Sequence, residues 1–161
     1  MRVGLGYDSH RFADGRKLVV GGVEIPFDMG LLGHSDADIL IHAVCDAILG
    51  AVGQGDIGCH FPDTDPAWRD ISSMILLGHV VALAKQNGFA VSQLDATIIM
   101  EKPRLLEYMP AMVRNLALVL NVPGVDINIK AKTNEGMGWI GNGEGAAALA
   151  IITVEPLKGM E

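Results

Sequence analysis

A two-layer fold of the α+β or α/β type, a mixed β-sheet with helices packed on one face, is predicted by three features of the sequence. Apolar residues change period along the chain, recurring as an unbroken helical run before residue 52 and alternating with polar residues over 125–132. Strand-like and helix-like segments follow one another in the order strand, hairpin, helix, helix, strand, helix, strand, strand, which a layered fold accommodates. Half of the 161 residues are apolar, enough to bury a sizeable core in one domain's length of chain. Residues 1–161 are therefore read as a single domain.

The elements are justified in order. Residues 3–12 are small or β-favouring and read as a strand. Residues 18–19 and 23–25, parted by Gly21 and Gly22, read as a short hairpin. Ser35-Asp36-Ala37-Asp38 fits the Ser-x-x-acid capping pattern, and the apolar run behind it predicts a helix to residue 52. Residues 53–69 are rich in Gly, Pro and Asp and read as loop. A second helix is expected over 72–87, with Gly88 as its stop. Residues 91–100 read as a strand, and 107–120 as a helix with Met112, Leu116 and Val119 on one face. Val125, Ile127, Ile129 and Ala131 alternate with polar neighbours, as in a half-buried strand, and 146–154 reads as a fully buried last strand.

Composition excludes several classes of function. The chain is too apolar and too lightly charged for disorder. No basic stripe exists to neutralise nucleic-acid phosphates. No apolar stretch approaches the roughly twenty residues of a membrane span, and Gly4, Tyr7 and Asp8 interrupt any signal-peptide core. Cys45 and Cys59 make no disulfide framework, so a cytoplasmic location is expected. Only 19% of residues are charged, and so little obligatory water-facing surface points to an oligomer. The net charge of −7 is lopsided: residues 1–65 hold ten acids against four Lys/Arg, and the remainder nine against eight.

Two G-x-G-x-x-G patterns, beginning at Gly53 and Gly136, lack the strand–turn–helix setting of a dinucleotide site: one follows a helix and the other leaves too little chain for a βαβ unit. Asp8-Ser9-His10 is more informative. Alternate strand residues share a face, so a carboxylate and an imidazole point the same way. This suits either two ligands of one metal ion or an ordinary acid–imidazole pair. Asp38, His42 and Asp46 form the one polar stripe on an otherwise apolar helix, and buried polar groups need partners. His42 is then either a core histidine bonded to an acid or a metal ligand oriented by one, with Asp46 the expected orienting group. Asp8, His10 and His42 together would leave a fourth position open, as catalytic zinc sites do. The stretch from Lys130 through Lys132, Thr133 and Glu135 into a glycine-rich turn could hold phosphate oxygens, with a second cation offsetting the glutamate.

Four ordered motifs carry a resemblance that covers essentially the whole chain: RVGLGYDSHRF near the start, GHSDADILIHAVCDAILGA at 33–51, GDIGCHFPDTDP at 55–66 and KAKTNEGMGWIGNGEG at 130–145. The sequence resembles the 2-C-methyl-D-erythritol 2,4-cyclodiphosphate synthase family of non-mevalonate isoprenoid biosynthesis. The resemblance implies a lyase that cyclises a cytidine-diphosphate substrate by attack of its own 2-phosphate on the β-phosphorus, releasing CMP. It implies zinc on Asp8, His10 and His42, and a second divalent ion, magnesium or manganese, at Glu135. It places His34 and Thr133 as polarising groups in the transition state. Substrate contacts are implied for Asp8, Ser9, His10, His34 and Ser35. They are also implied for Asp56, Ile57 and Gly58, and for Phe61, Pro62, Asp63, Thr64 and Asp65. The cytosine would lie against Met100, Glu101, Lys102, Pro103, Arg104, Leu105 and Leu106. Lys132, Thr133, Asn134, Glu135 and Trp139 would complete the pocket. The family assembles as a homotrimer around its sheets, with active sites between subunits. Asn142 stands where many members carry Arg, Trp139 where Phe is more frequent, and Lys132 where Thr is common.

Two other functions fit the same residues. A zinc phosphodiesterase would use water rather than the substrate's own phosphate. A non-enzymatic trimer binding a small anion would hold a saturated four-ligand structural metal; the sequence offers no obvious fourth protein ligand, and Cys45 and Cys59 are the residues to check.

Overall fold

The computed structural model describes residues 1–157. Its centre is a five-stranded mixed sheet, in which β1 (Arg2–Asp14) and β5 (Phe89–Ile99) flank β7 (Gly145–Pro156). β4 (Met29–Leu31) extends one edge and β6 (Ile127–Lys132) the other, giving the order β4-β1-β7-β5-β6. Only the β5–β6 pair is parallel. β2 (Leu18–Val20) and β3 (Val23–Ile25) form the separate expected hairpin. The helices α1 (Ile39–Val52), α3 (Ser73–Gln86) and α4 (Met109–Leu120) make the second layer. Two single-turn helices, α2 (Ile57–His60) and α5 (Gly138–Gly141), lie in the loops. No helix among the described residues is long and apolar enough to cross a membrane.

α1 packs against both the sheet and α3. Eleven of its fourteen residues are buried, which is why its sequence is apolar nearly all round. Its N-cap is Asp38, not the Ser35 that the capping pattern indicated: the Asp38 side chain accepts from Ile41 N at 3.1 Å. Asp38 also accepts from Gly21 N at 2.9 Å and Gly22 N at 2.7 Å, tying the hairpin turn to the start of α1. Burial pushes its carboxyl up to about 6, even though the Gly22, Gly21 and Ile41 N–H groups pull the other way. Asp38→Ala is expected to cost about 3 kcal/mol or more, since three N–H groups lose their acceptor at about 1 kcal/mol or more each. Urea denaturation measures this, and a loss below about 1 kcal/mol would mean water replaces the carboxylate.

The remaining differences from the expected elements have local causes. Residues 53–69 contain α2, capped by Asp56 on Cys59 N at 2.9 Å, and a 3-10 turn (Pro66–Trp68) capped by Asp65 on Ala67 N at 2.9 Å. Val125 is not in a strand; it is 92% exposed in a 3-10 turn that Asp126 N closes on Pro123 O at 3.0 Å. Ala131 is also exposed. β4 has three residues, too few for a readable pattern, and pairs with the end of β1. β7 is not wholly buried: Ile152 and Val154 face the helices, while Ile151 is 48% exposed on the opposite face. There Ile151 lies beside Leu5, with Val3 and Tyr7 along the same strand, so an apolar strip covers the sheet face that carries no helix.

Candidate metal and phosphate site

Two glycines decide where the site forms. Even-numbered residues of β1 face α1, and at Gly4 and Gly6 an added Cβ would lie 1.8 Å from Ala47 O and Ala43 O respectively. The helix therefore rides directly on the strand backbone. Asp8 and His10 are the next residues on that face, and His42 comes next toward the helix N-terminus.

The three side chains converge. Asp8 Oδ2 lies 2.9 Å from His42 Nδ1 and 3.0 Å from His10 Nε2, and the two imidazole nitrogens are 3.3 Å apart. Four ligands at about 2.0–2.1 Å around a tetrahedral zinc stand roughly 3.3 Å from one another. The triangle therefore matches one face of such a tetrahedron, and the group could hold a metal ion. Among the described residues no cysteine joins it: Cys45 is buried, Cys59 exposed, and both are unpaired. A saturated site with a cysteine ligand thus has no support in this geometry.

Electrostatics favour a cation here. Burial pushes the Asp8 carboxyl up, but hydrogen bonds from His10 and His42 outweigh it and hold the group well below the usual carboxylate range. Burial would lower His42, yet its bond to Asp8 and the charges of Asp8, Asp38 and Asp36 raise it. The other face of His42 meets hydroxyls: Nε2 lies 2.8 Å from Ser73 Oγ and 3.0 Å from Ser35 Oγ. Asp46, the acid expected to orient His42, makes no bond to it. Its Oδ1 accepts from Ile57 N at 2.8 Å and so anchors α2 to α1, one helical turn too far along to reach the imidazole.

His34 and Ser35 sit on the loop next to the triangle; a Cβ at Gly33 would lie 3.1 Å from His10 Cε1. His34 Nε2 donates to Asp65 O at 3.2 Å, joining this loop to the 61–65 segment. Arg16, which the sequence did not single out, donates to Leu31 O at 3.0 Å and Ser35 O at 2.6 Å and pins the loop from behind. Asp56, Ile57 and Gly58 form the start of α2. Phe61 packs edge-on against Trp68, with ring centroids 5.0 Å apart, while Pro62, Asp63, Thr64 and Asp65 are exposed. Ser9 and His10 share a recess with Trp139 and Glu144.

A second cleft, of about 230 Å³, lies away from the triangle. Met100, Glu101, Pro103, Arg104, Leu105 and Leu106 line it, and Lys132 and Thr133 close its other side. Met109 and Ala131 also contribute, two residues the motif reading missed, whereas Lys102 lies outside the lining. The Glu101 side chain accepts from Asn134 N at 2.7 Å and holds the turn after β6. On that turn Thr133 Oγ1 donates to Glu135 Oε1 at 2.7 Å, and Glu135 takes a left-handed backbone at φ 52°. Glu135 is not part of the Asp8–His10–His42 group. One chain thus carries a group that could hold a cation and, apart from it, a cleft with Lys132 and Thr133 in its lining.

Comparison with known proteins gives a consistent result. The YgbB family profile matches residues 1–155. A 2-C-methyl-D-erythritol 2,4-cyclodiphosphate synthase from Syntrophus aciditrophicus is 56% identical over 155 residues, covering 96% of this chain and 98% of its own. A solved CDP-bound form of a synthase of the same name superposes with a TM-score of 0.88 at 36% identity, covering 96% of this chain and all of its own. The bifunctional IspDF from Campylobacter jejuni superposes with a TM-score of 0.93 at 39% identity, with 97% of this chain covering 42% of that longer protein.

Proposed function

The chain belongs to the YgbB family, and from that premise we infer that it catalyses the 2-C-methyl-D-erythritol 2,4-cyclodiphosphate synthase reaction. The substrate is 4-diphosphocytidyl-2-C-methyl-D-erythritol 2-phosphate. An oxygen of its 2-phosphate attacks the β-phosphorus, the bond to the CMP oxygen breaks, and the cyclic diphosphate and CMP are released. Residues 1–161 act as one catalytic domain in this reading.

The observation that carries it is the Asp8–His10–His42 triangle at 2.9–3.3 Å, on a chain with a separate cleft of about 230 Å³. Zinc on the triangle, and magnesium or manganese at Glu135, would supply charge neutralisation to the phosphates and to the developing transition state. The chain's own residues supply the rest. His34 and Thr133 donate to phosphate oxygens as charge builds on them, and Lys132 adds a third donor. Ser9, Ser35, Asp56, Ile57, Gly58 and the exposed 61–65 segment hold the methylerythritol phosphate. The cleft between 100–106 and Lys132 takes the cytosine, a reading supported by the likeness to a CDP-bound structure. Attacker and leaving group share one molecule, so no protein nucleophile is needed. Catalysis rests on positioning and electrostatic stabilisation.

Assembly as a homotrimer, with sites between subunits, is part of this proposal. Two features support it: the exposed apolar strip of Val3, Leu5, Tyr7 and Ile151, and the separation within one chain of the two half-sites. The two unpaired cysteines support a cytoplasmic location.

The test is an incubation with the cytidylyl substrate in oxygen-18 water, with zinc and magnesium, read by phosphorus NMR. Cyclic diphosphate and CMP without label are expected, and a chelator should abolish both. A labelled, hydrolysed phosphate would overturn the proposal in favour of a metal-dependent phosphodiesterase.

A further inference from the structure

The donor and acceptor inventory around His42 fixes more than its position. Ser73 is the first residue of α3 and is fully buried. Asp36, from the loop before α1, accepts the Ser73 backbone N–H through Oδ2 at 2.9 Å and the Ser73 hydroxyl through Oδ1. An ionised carboxylate can only accept, and a hydroxyl has one hydrogen. That hydrogen is committed to Asp36. At 2.8 Å from His42 Nε2, Ser73 Oγ can therefore only accept, so Nε2 carries the proton. Ser35 Oγ, 3.0 Å from the same nitrogen, is compatible with this arrangement as a second acceptor. In the neutral ring, the form that ligates a metal, Nδ1 is then bare, and it is Nδ1 that faces Asp8 Oδ2 at 2.9 Å and His10 Nε2 at 3.3 Å. Nδ1 and a carboxylate oxygen at that distance need a proton or a cation between them: the second ring proton in the metal-free form, a metal in the bound form.

We propose that Asp36 and Ser73 form a hydrogen-bond relay that sets the tautomer of His42 and aims its Nδ1 lone pair at the metal position. Both act as positioning residues, and the inference rests on reading the triangle as a metal site. The relay takes over the role usually filled by an acid bonded directly to the ligating histidine. The acid is still present, one hydroxyl removed. Asp36 uses both oxygens: Oδ2 satisfies an N–H at the start of α3, while Oδ1 orders the Ser73 hydroxyl and also accepts from Asp38 N at 3.3 Å. The relay thereby locks α1, α3 and the 33–38 loop into one arrangement around the site.

Ser73→Ala separates the relay from the helix cap, because the backbone N–H bond to Asp36 survives and only the hydroxyl is lost. Zinc affinity of the metal-free protein is measured by competition with a chromophoric chelator, with thermal melting as the control for fold. The variant is expected to bind zinc about 10- to 100-fold more weakly at a nearly unchanged melting temperature. Nitrogen-15 NMR of the wild type without metal, at alkaline pH, is expected to find the His42 proton on Nε2. Affinity equal to wild type in a folded Ser73→Ala variant, or a proton on Nδ1, overturns the relay. If the alanine variant does not fold, the NMR measurement alone decides. Wild-type protein that binds no zinc would instead overturn the metal site itself, a separate outcome.

Discussion

Replacing His42 with alanine is expected to lower turnover by about 1,000-fold and to abolish tight zinc binding while the chain still folds. The substitution removes one of three ligand atoms, and two ligands do not make a stable zinc site. Neutralising phosphate charge by a bound cation is worth several kcal/mol in the transition state, and each 1.36 kcal/mol is tenfold in rate. About 4 kcal/mol then corresponds to roughly the expected loss. Folding survives because His42 lies on a helix whose other buried residues are apolar, and alanine is the best helix former. Asp8, Ser35 and Ser73 lose a partner, at a stability cost of about 1–3 kcal/mol. Turnover, metal content and a melting curve check the three parts. Turnover within tenfold of wild type, with the fold intact, would remove the triangle from catalysis.

Gly6→Ala is the second large effect, and it acts on the same site through the backbone. The new Cβ would sit 1.8 Å from Ala43 O and 2.7 Å from Ala47 N. Both are main-chain atoms of α1, so no side-chain rotation relieves the clash. The helix must move away from β1, opening the core. A cost of about 3 kcal/mol or more is expected, at the upper end for overpacking, with a fall in melting temperature of roughly 6–12 °C. Because His42 travels with α1, zinc affinity should fall together with stability. Gly78→Ala is the control: this glycine is exposed on α3, and an added Cβ meets nothing within 4 Å. There, helix propensity predicts a gain of up to about 1 kcal/mol. A Gly6 variant that melts with the control would mean that α1 tolerates displacement.

The contrast between these glycines bears on what a sequence reveals. Gly4 and Gly6 read only as small residues in a strand; nothing local says that a helix backbone lies against them. Asp8 and His10 were legible as a pair because strand periodicity is strict. His42 was legible as an anomaly because an otherwise apolar helix leaves a buried imidazole in need of a partner. Their meeting was one of two readings the residues allowed, a three-ligand metal site or separate acid–imidazole pairs, and the resemblance carried by the motifs pointed to the first. Asp46 shows the limit from the other side: it lies on the same helical stripe as His42, but a long-range bond to Ile57 N claims it. Ser73 and Asp36, 37 residues apart, left no local signal of their contact.

Edges of elements failed for a related reason. Val125 keeps the alternation of β6, yet Pro123 and Gly124 form a turn that takes it out of register. Ile151 belongs to an unbroken apolar run but faces away from the helices.

By itself, then, the sequence determined the kinds and order of the longer elements, the buried helix and the residue types able to hold a cation and phosphates. These follow from periodicity and side-chain chemistry, which act over a few residues. Only the tertiary structure decided which carboxylate serves which partner. It made Asp38 a cap for α1 and a clasp for the hairpin, gave Asp46 to α2, and set Asp36 behind Ser73. It also decided how closely α1 approaches β1, and with that the 2.9–3.3 Å triangle. The reason is physical: a buried polar group must be satisfied, and which donor reaches it depends on how distant segments pack.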